Sequence, residues 1–210
     1  MSESYRTVEG PGESAFEVRG SEFFGHARPV RSVEAAEAFV EEIEAEYDDP
    51  THVVPAYRVR AGDGNEGHET PGSGMLREYA SDDGEPAGSA GKPALNVLVQ
   101  RDLENVAVAV VRYYGGTNLG VGGLARAYSR AAADAIDDAR VRERRPREEL
   151  RIAVAYDDSG TVRGIIESTD ATFEATYEER VTFAVAVPRS EAPDLRDRIR
   201  SATSGRAEIG

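Results

Sequence analysis

A glycine-rich segment between two arginines carries the residues whose types and spacing could bind another molecule. Residues 112–130 read RYYGGTNLGVGGLARAYSR, after an apolar run at 105–114 and before a helical pattern at 123–138. Because such an apolar run is typical of a buried strand, we expect a strand-to-helix turn. Glycine lets a ligand approach the backbone, and N–H groups at a helix start attract anions.

The turn therefore predicts a site for an anion or a nucleic acid. Its residues are Lys92, Arg112, Tyr113, Gly115, Gly116, Asn118, Gly122, Gly123, Arg126 and Arg130. Alternatively, the glycines only allow tight packing of strand against helix. The segment has neither the GxxxxGK[ST] nor the GxGxxG spacing, so an ordinary nucleotide-binding loop is not expected.

The two tyrosines that end the apolar run have opposite expected orientations. Since side chains alternate along a strand, one of Tyr113 and Tyr114 faces inward and the other outward. An outward tyrosine beside Arg112 could stack on a base. It could equally form an aromatic edge of the core.

A second constellation lies at 81–93, with the sequence SDDGEPAGSAGKP. Its three carboxylates could bind a hard cation such as Mg²⁺, or the aspartates could simply shape a turn. Lys92 is the single lysine of the chain. It could have a specific role that needs a compact ammonium group, or it could be an ion-pair partner. His52, at the start of the strand predicted at 53–59, could face the same place, or it could cap or pack. The candidate ligand-site residues are His52, Asp82, Asp83 and Glu85.

The sequence holds no recognisable catalytic group. It has no cysteine, its three histidines show no metal-ligand spacing, and no serine lies in a GxSxG elbow. We therefore predict no catalytic residue, no metal and no cofactor, and we favour a binding protein over an enzyme.

The charge distribution is uneven. The formal net charge is -14, the first 50 residues carry 13 acidic groups against four arginines, and residues 86–133 have a net charge of +3. An acidic, lysine-poor surface is typical of a protein in concentrated salt, where charge repulsion is screened. An arginine-biased genome would give the same composition. The polar N-terminus, the lack of cysteine and the lack of a membrane-length apolar run predict a cytoplasmic protein.

The pattern of elements predicts an α+β chain in two domains. Ser32 is expected to cap a helix whose apolar stripe includes Ala36, Phe39 and Ile43. The glycine-rich residues 60–74 predict a mobile loop, and the tail fits a β-α-β-β-α-β order. The predicted boundaries are 1–139 for the first domain, 140–148 for an arginine-rich linker and 149–210 for the second domain.

The order of these motifs resembles the Impact/YigZ family. ASDDGEPAGSAGKPALNVL followed by NVAVAVVRYYGGTNLGVGGLARAYSRAA is similar to the diagnostic block of that family. The resemblance implies an N-terminal domain like domain 2 of ribosomal protein S5 and a ferredoxin-like C-terminal domain. This pairing is similar to the last two domains of elongation factor G, which reach into the ribosome. We expect the prokaryotic form, without the RWD domain of eukaryotic members.

The positions that match the family motif are Asp82, Asp83, Gly84, Glu85, Gly91, Lys92, Arg112, Tyr113, Gly115, Gly116, Gly120, Gly122, Gly123, Arg126 and Tyr128. Eukaryotic members act in translational control. The leading hypothesis is therefore a non-enzymatic, translation-related regulator, a monomer or weak homo-oligomer, that binds ribosomal RNA or a translation-factor surface. The alternative is a phosphate-ester or nucleotide hydrolase that uses Lys92, Asp83 and Arg112. A third hypothesis is a regulator whose protein partner binds the acidic helix at 33–47.

Overall fold

The computed structural model of the chain describes residues 4–60 and 75–210. They form two compact units, one spanning Tyr5–Arg144 and the other containing Arg145–Gly210. Apart from Arg60, which ends a strand, the loop predicted at 60–74 lies outside the described residues. No helix within the described ranges is long and apolar enough to cross a membrane.

The first unit is built on a five-stranded antiparallel sheet. The strands of this unit, including two that lie outside the sheet, are β1 (Tyr5–Val8), β2 (Gly12–Val18), β3 (Ser21–Pro29), β4 (His52–Arg60), β5 (Leu76–Ala80), β6 (Val106–Tyr113) and β7 (Val141–Arg144). Its helices are α1 (Val33–Glu46), α2 (Gly91–Gln100) and α3 (Val121–Asp138). The sheet has the order β2-β3-β6-β4-β5, while β1 and β7 pair separately as a two-stranded ribbon. The central β6 is buried up to its last residue because it is apolar on both faces.

The register of the sheet decides which side chains share a face. Arg112 of β6 lies opposite Phe23 of β3 and opposite His52 of β4, so these three side chains point to the same side. Phe23 packs there against Tyr128 of α3, and α2 packs on β4 and on α3. Phe39 of α1 packs with alternate residues of β6 in a separate cluster. The sheet therefore has α1 on one face and α2 and α3 on the other.

The first helix begins where the sequence predicts. The hydroxyl of Ser32 accepts a hydrogen bond from the Ala35 amide at 3.1 Å, which satisfies one of the free N–H groups of the first turn. The predicted apolar stripe is buried at Ala36, Phe39 and Ile43. Both predictions are confirmed because they depend on neighbouring residues alone.

Three short strands, β1, β5 and β7, were not expected from the sequence. They are four, five and four residues long, and their polar residues give no alternating signal. Tyr5 pairs with Arg144, a contact between distant parts of the chain. As a result, β7 occupies much of the segment 140–148 for which a linker is predicted, and the division between the units falls after Arg144.

The second unit has the order β-α-β-β-α-β that the tail sequence predicts. Its elements are β8 (Arg147–Val154), α4 (Tyr156–Glu167), β9 (Thr172–Tyr177), β10 (Val181–Pro188), α5 (Ala192–Ala202) and β11 (Glu208–Ile209). The strands form an antiparallel sheet in the order β11-β8-β10-β9. Alternate residues of β8, namely Leu150, Ile152 and Val154, pack with apolar residues of both helices in one core.

Stability should depend on pH through His26 in β3. Its Nε2 lies 2.8 Å from the Tyr47 hydroxyl. Burial lowers the pKa of His26 below its ordinary value of 6.5, and the charges of Glu13 and Glu46 offset this only in part. The unfolded chain therefore takes up this proton first as the pH falls, so the free energy of unfolding should decrease as the pH drops below about 6.5.

Urea unfolding at pH 7.5 and pH 5.5 measures this decrease. A His26→Gln variant, which cannot take up the proton, should lose less stability between the two pH values than the wild type. An equal loss in both proteins would contradict the assignment to His26.

Candidate functional site

Three segments of the first unit meet at one end of its sheet. They are the end of β6, the chain just before β4, and the start of β3. The Thr51 amide donates to the Arg112 carbonyl at 2.9 Å, and the Tyr114 amide donates to the Thr51 hydroxyl at 2.9 Å. The Gly115 amide donates to the Ser21 hydroxyl at 3.1 Å. These bonds hold the start of the glycine-rich turn against the sheet.

Asp82 holds the loop between β5 and α2 in place. Its carboxylate accepts hydrogen bonds from the amides of Gly88, Ala90 and Gly91 at 2.7, 3.0 and 2.9 Å. Burial, the largest single influence, raises the pKa of Asp82, but the three N–H donors together outweigh it and the pKa is lowered. The carboxylate thus occupies the N-terminus of α2, and it acts as a cap.

Asp83 joins the same loop to β4. Its carboxylate accepts a hydrogen bond from the Val53 amide at 2.7 Å, and its carbonyl accepts one from Nδ1 of His52. The sequence leaves open whether His52 faces Asp83, caps or packs, and in the structure the two residues are in contact. In the described part of the chain, no group of three or more acidic, histidine or cysteine side chains could hold a metal ion.

Glu85 and Arg112 form a buried ion pair beneath this loop. Their side chains are only 3% and 5% exposed, and Nη1 of Arg112 lies 2.5 Å from Oε1 of Glu85. The Tyr128 hydroxyl donates to the same oxygen at 2.7 Å. Burial raises the pKa of Tyr128, and Glu85 raises it further. Nε2 of His52 lies 3.9 Å from the other oxygen of Glu85.

Arg112 makes its remaining contacts with other residues of the first unit. Its guanidinium lies over the rings of Phe23 and Tyr114, 5.5 and 5.4 Å from their centroids. Nη2 donates to the Ser21 hydroxyl at 3.2 Å, and the buried Nε has no acceptor among the described residues. Since Glu85 already balances its charge, Arg112 supports the turn from beneath.

The turn at 114–123 is the exposed part of the site. It contains no charged residue and is mostly exposed. Gly116 and Gly120 have φ values of +81° and +71°, which other residues rarely adopt. Tyr114 is 46% exposed, and its hydroxyl donates to the Asn118 side chain at 3.2 Å. The outward tyrosine is therefore Tyr114.

The N-terminus of α3 differs from that of α2. Its N-cap residue is Gly120, which has no side chain to cap the helix, and the amides of residues 121–123 donate to no described side chain. A methyl group added at Gly122 would meet nothing closer than Nη1 of Arg126 at 3.7 Å. The amides of residues 121–123 donate to no described acceptor, whereas the amides at the start of α2 donate to Asp82.

The other predicted basic residues divide into two groups. Lys92 and Arg126 are exposed and form no ion pair with any described residue. Arg130, in contrast, pairs with Asp134 at 3.2 Å and lies over the Phe16 ring, 4.1 Å from its centroid.

Tyr113 lies on the other face of the sheet from Arg112. Its ring packs near Phe24 and Tyr47, and its hydroxyl donates to the Asp48 carbonyl at 3.0 Å. The structure therefore does not bring Tyr113 to the exposed turn. The hydroxyls of Ser21 and Thr51 accept hydrogen bonds from the turn. This role could not be predicted, because isolated hydroxyl residues carry no signal in the sequence.

The fold and the site define a two-unit α+β protein with an exposed, uncharged glycine-rich turn at the uncapped start of a helix. The chain belongs to the Impact family. The Impact N-terminal domain matches residues 19–136, and a domain of unknown function, DUF1949, matches residues 152–206.

Similar proteins cover the whole chain. The Impact family member YvyE of Bacillus subtilis is 31% identical over 210 residues, which are 100% of this chain and 91% of that protein. The family member YigZ of Escherichia coli is 29% identical over 208 residues, 99% of this chain and 97% of that protein. A crystal structure described as a hypothetical protein superposes with a TM-score of 0.67 at 30% identity, covering 100% of this chain and 97% of that one.

A eukaryotic relative matches only in part. The Impact homologue of Saccharomyces cerevisiae is 32% identical over 104 residues, 49% of this chain and 36% of that protein.

Proposed function

We propose that the protein is a non-enzymatic, translation-related regulator that binds ribosomal RNA through the turn at 114–123. Membership of the Impact family supports the link to translation. The observation that carries the binding proposal is the uncapped N-terminus of α3, exposed within a glycine-rich turn.

The electrostatics of this helix end favour a phosphate ligand. The first amides of a helix lack partners within it and, together with the helix dipole, favour an anion. Arg126 lies on the same helix and makes no ion pair with a described residue. The Ser129 hydroxyl donates to the Pro93 carbonyl at 3.2 Å, so the first turn of α2, with Lys92, lies beside α3. Arg126 is therefore an unpaired cation about one helical turn from the free amides, while Lys92 lies beside a later turn of α3, near Ser129.

Tyr114 adds a contact that does not depend on charge. Its half-exposed ring could stack on an unpaired base, an interaction worth about 1–3 kcal/mol. Phosphate contacts weaken steeply as salt rises, and the chain has a net charge of -14. A stacking contact, which does not depend on charge, therefore matters for its affinity. A nucleic acid offers the turn both phosphates and bases, which favours RNA over a simple anion.

The fold assignments belong to the same proposal. The antiparallel order β11-β8-β10-β9 in a β-α-β-β-α-β unit supports a ferredoxin-like second domain. The resemblance to the Impact/YigZ family supports a first domain like domain 2 of ribosomal protein S5. We also propose a cytoplasmic protein that is a monomer or a weak homo-oligomer.

The hydrolase hypothesis receives no support from the side chains on which it depends. Arg112 is buried against Glu85, and the carboxylate of Asp83 accepts from a backbone amide. Lys92 forms no ion pair with either residue in the described part of the chain. Arg112 and Asp83 thus have structural partners, and we propose no second function.

Co-sedimentation with ribosomes tests the proposal. The full chain, mixed with ribosomes at several salt concentrations, should pellet with them, and it should also bind purified ribosomal RNA. A protein that stays wholly in the soluble fraction at every salt concentration would contradict the proposal. Binding to ribosomes but not to purified RNA would instead indicate a translation-factor or ribosomal-protein surface.

Replacing Gly122 with alanine should weaken RNA binding without weakening the fold. A Cβ there meets only the flexible end of Arg126, and alanine in a helix is more stable than glycine by about 0.5 kcal/mol. The added methyl group would, however, cover the free amides. We expect the affinity for ribosomal RNA to fall about tenfold, equivalent to about 1.4 kcal/mol, in a fluorescence titration.

The matched control is Gly164→Ala in α4, where a Cβ also has open space around it. This variant should gain similar stability and keep the wild-type affinity. If both variants bind RNA as the wild type does, the contact lies elsewhere.

A further inference from the structure

The ribbon formed by β1 and β7 carries a group of positive charges from the arginine-rich segment 140–148. In the antiparallel register, Arg142 lies opposite Thr7 and Arg144 lies opposite Tyr5, so both arginines lie on one face of the ribbon. Side chains two apart on a strand are about 6.6 Å from each other. Arg140 lies just before β7 and is exposed. We call Arg140, Arg142 and Arg144 the arginine ribbon.

The charges of the arginine ribbon are not neutralised by the described residues. Many other arginines of this acidic chain pair with carboxylates, for example Arg58, Arg101 and Arg206. None of the three ribbon arginines has an ion pair among residues 4–60 and 75–210. In Arg144, the buried Nε also has no hydrogen-bond acceptor there. Buried donors are normally paired, so this guanidinium is incompletely satisfied.

The ribbon is fixed to the first unit by core packing and by backbone hydrogen bonds. Val8 of β1 is fully buried and packs in the main core of the first unit, with Val141 of β7 against it. The Glu9 amide donates to the Arg140 carbonyl at 2.8 Å. Glu143, the acidic residue of β7, lies opposite Arg6 in the strand register, on the other face of the ribbon. The arginine ribbon is therefore a group of positive charges on a backbone fixed to the core, with Arg142 and Arg144 on one face of the ribbon.

We propose that the arginine ribbon is a second contact surface for the RNA, and that it binds the phosphate backbone. The inference rests on the proposed function, which supplies the RNA. Guanidinium groups pair with phosphates through two parallel hydrogen bonds, and RNA presents a regular series of phosphates. An acidic protein partner would carry fewer and less regular charges. The ribbon contacts contribute affinity without sequence preference, because phosphates carry no sequence information.

The double variant Arg142→Ala with Arg144→Ala tests this inference. The control is Arg31→Ala with Arg77→Ala, two exposed arginines of the same unit that also lack an ion pair to described residues. Both double variants change the net charge equally. The readout is the affinity of the full chain for single-stranded ribosomal RNA over a range of salt concentrations.

Loss of two phosphate contacts should reduce the slope of log affinity against log salt by about 1.4, since each contact contributes about 0.7. The control should keep the wild-type slope. The single variant Arg142→Ala, at an exposed position, should lower the slope by about 0.7, and it tests the contact even if the double variant misfolds.

Equal slopes for the wild type and the ribbon variants would overturn the ribbon contact and leave the proposed function standing. An equal fall in the control would also overturn it, because net charge alone would explain the effect. If the wild type binds no RNA at all, both the proposed function and the ribbon contact fail. A change in self-association without a change in RNA affinity would indicate a second copy of the chain as the partner and would overturn the RNA contact.

Discussion

Replacing Glu85 with alanine should lower the free energy of unfolding by about 3–5 kcal/mol, because the change leaves a buried charge without a partner. Arg112 is 5% exposed and Nη1 lies 2.5 Å from Glu85. The Tyr128 hydroxyl would lose its acceptor as well, and an unsatisfied buried donor carries a further penalty. The loss should appear in urea unfolding of the full chain as an early transition of the first unit.

An ion pair of the same sheet with an exposed carboxylate provides the control. Glu78 is 42% exposed and lies 2.8 Å from Arg58, which is 12% exposed. Because Arg58 also contacts Asp102 and the Leu103 carbonyl, Glu78→Ala should cost less than about 1 kcal/mol. Removing both buried charges together, as Glu85→Leu with Arg112→Met, should recover a large part of the loss, since no charge is then left unpaired. A Glu85→Ala variant no less stable than Glu78→Ala would contradict this view of the buried pair.

Replacing Gly115 with alanine should displace the turn at 114–123 and destabilise the first unit. A Cβ at this position would lie 1.9 Å from the carbonyl carbon and oxygen of Gly20 and 2.4 Å from the Ser21 nitrogen. All three are backbone atoms, so no side-chain rotation relieves the overlap. We expect a loss of about 3 kcal/mol, as for an overpacked core, together with weaker RNA binding.

The next residue separates steric overlap from backbone strain. Gly116 has a φ of +81°, and a Cβ there would meet nothing within 4 Å. Gly116→Ala should therefore cost only about 1–2 kcal/mol, the penalty for a left-handed residue. Thermal unfolding of the two variants gives the comparison. If Gly115→Ala is as stable as Gly116→Ala, the close approach of the two chain segments is not needed for the fold.

Elements with a strong local signal could be predicted from the sequence. The strand β6 and the helix α3 follow from an apolar run and a helical period, and α1 from Ser32 and its apolar stripe. The ribbon of β1 and β7 could not be predicted, because its short, polar strands gain stability only from each other and from contacts with distant residues. Tertiary contacts decide such elements.

Several of the predicted site residues lie close together in the structure, but the partners of some differ from those that the sequence suggested. Glu85 was a candidate ligand and Arg112 a candidate anion-binding group, yet they neutralise each other across 27 residues. Alternation indicated that Tyr113 and Tyr114 face opposite ways, but the outward one depends on the register of β6 against β3 and β4. Adaptation to concentrated salt stays a prediction.

Amide hydrogen exchange, resolved by residue, tests most directly whether the turn binds RNA. The amides of residues 121–123 start α3 without a capping side chain in the described chain, so they should exchange quickly in the free protein. Saturation with ribosomal RNA should slow them, while the amides of Ala90 and Gly91, which already donate to Asp82, should change little. Unchanged exchange at 121–123 in an RNA complex protected elsewhere would contradict the account.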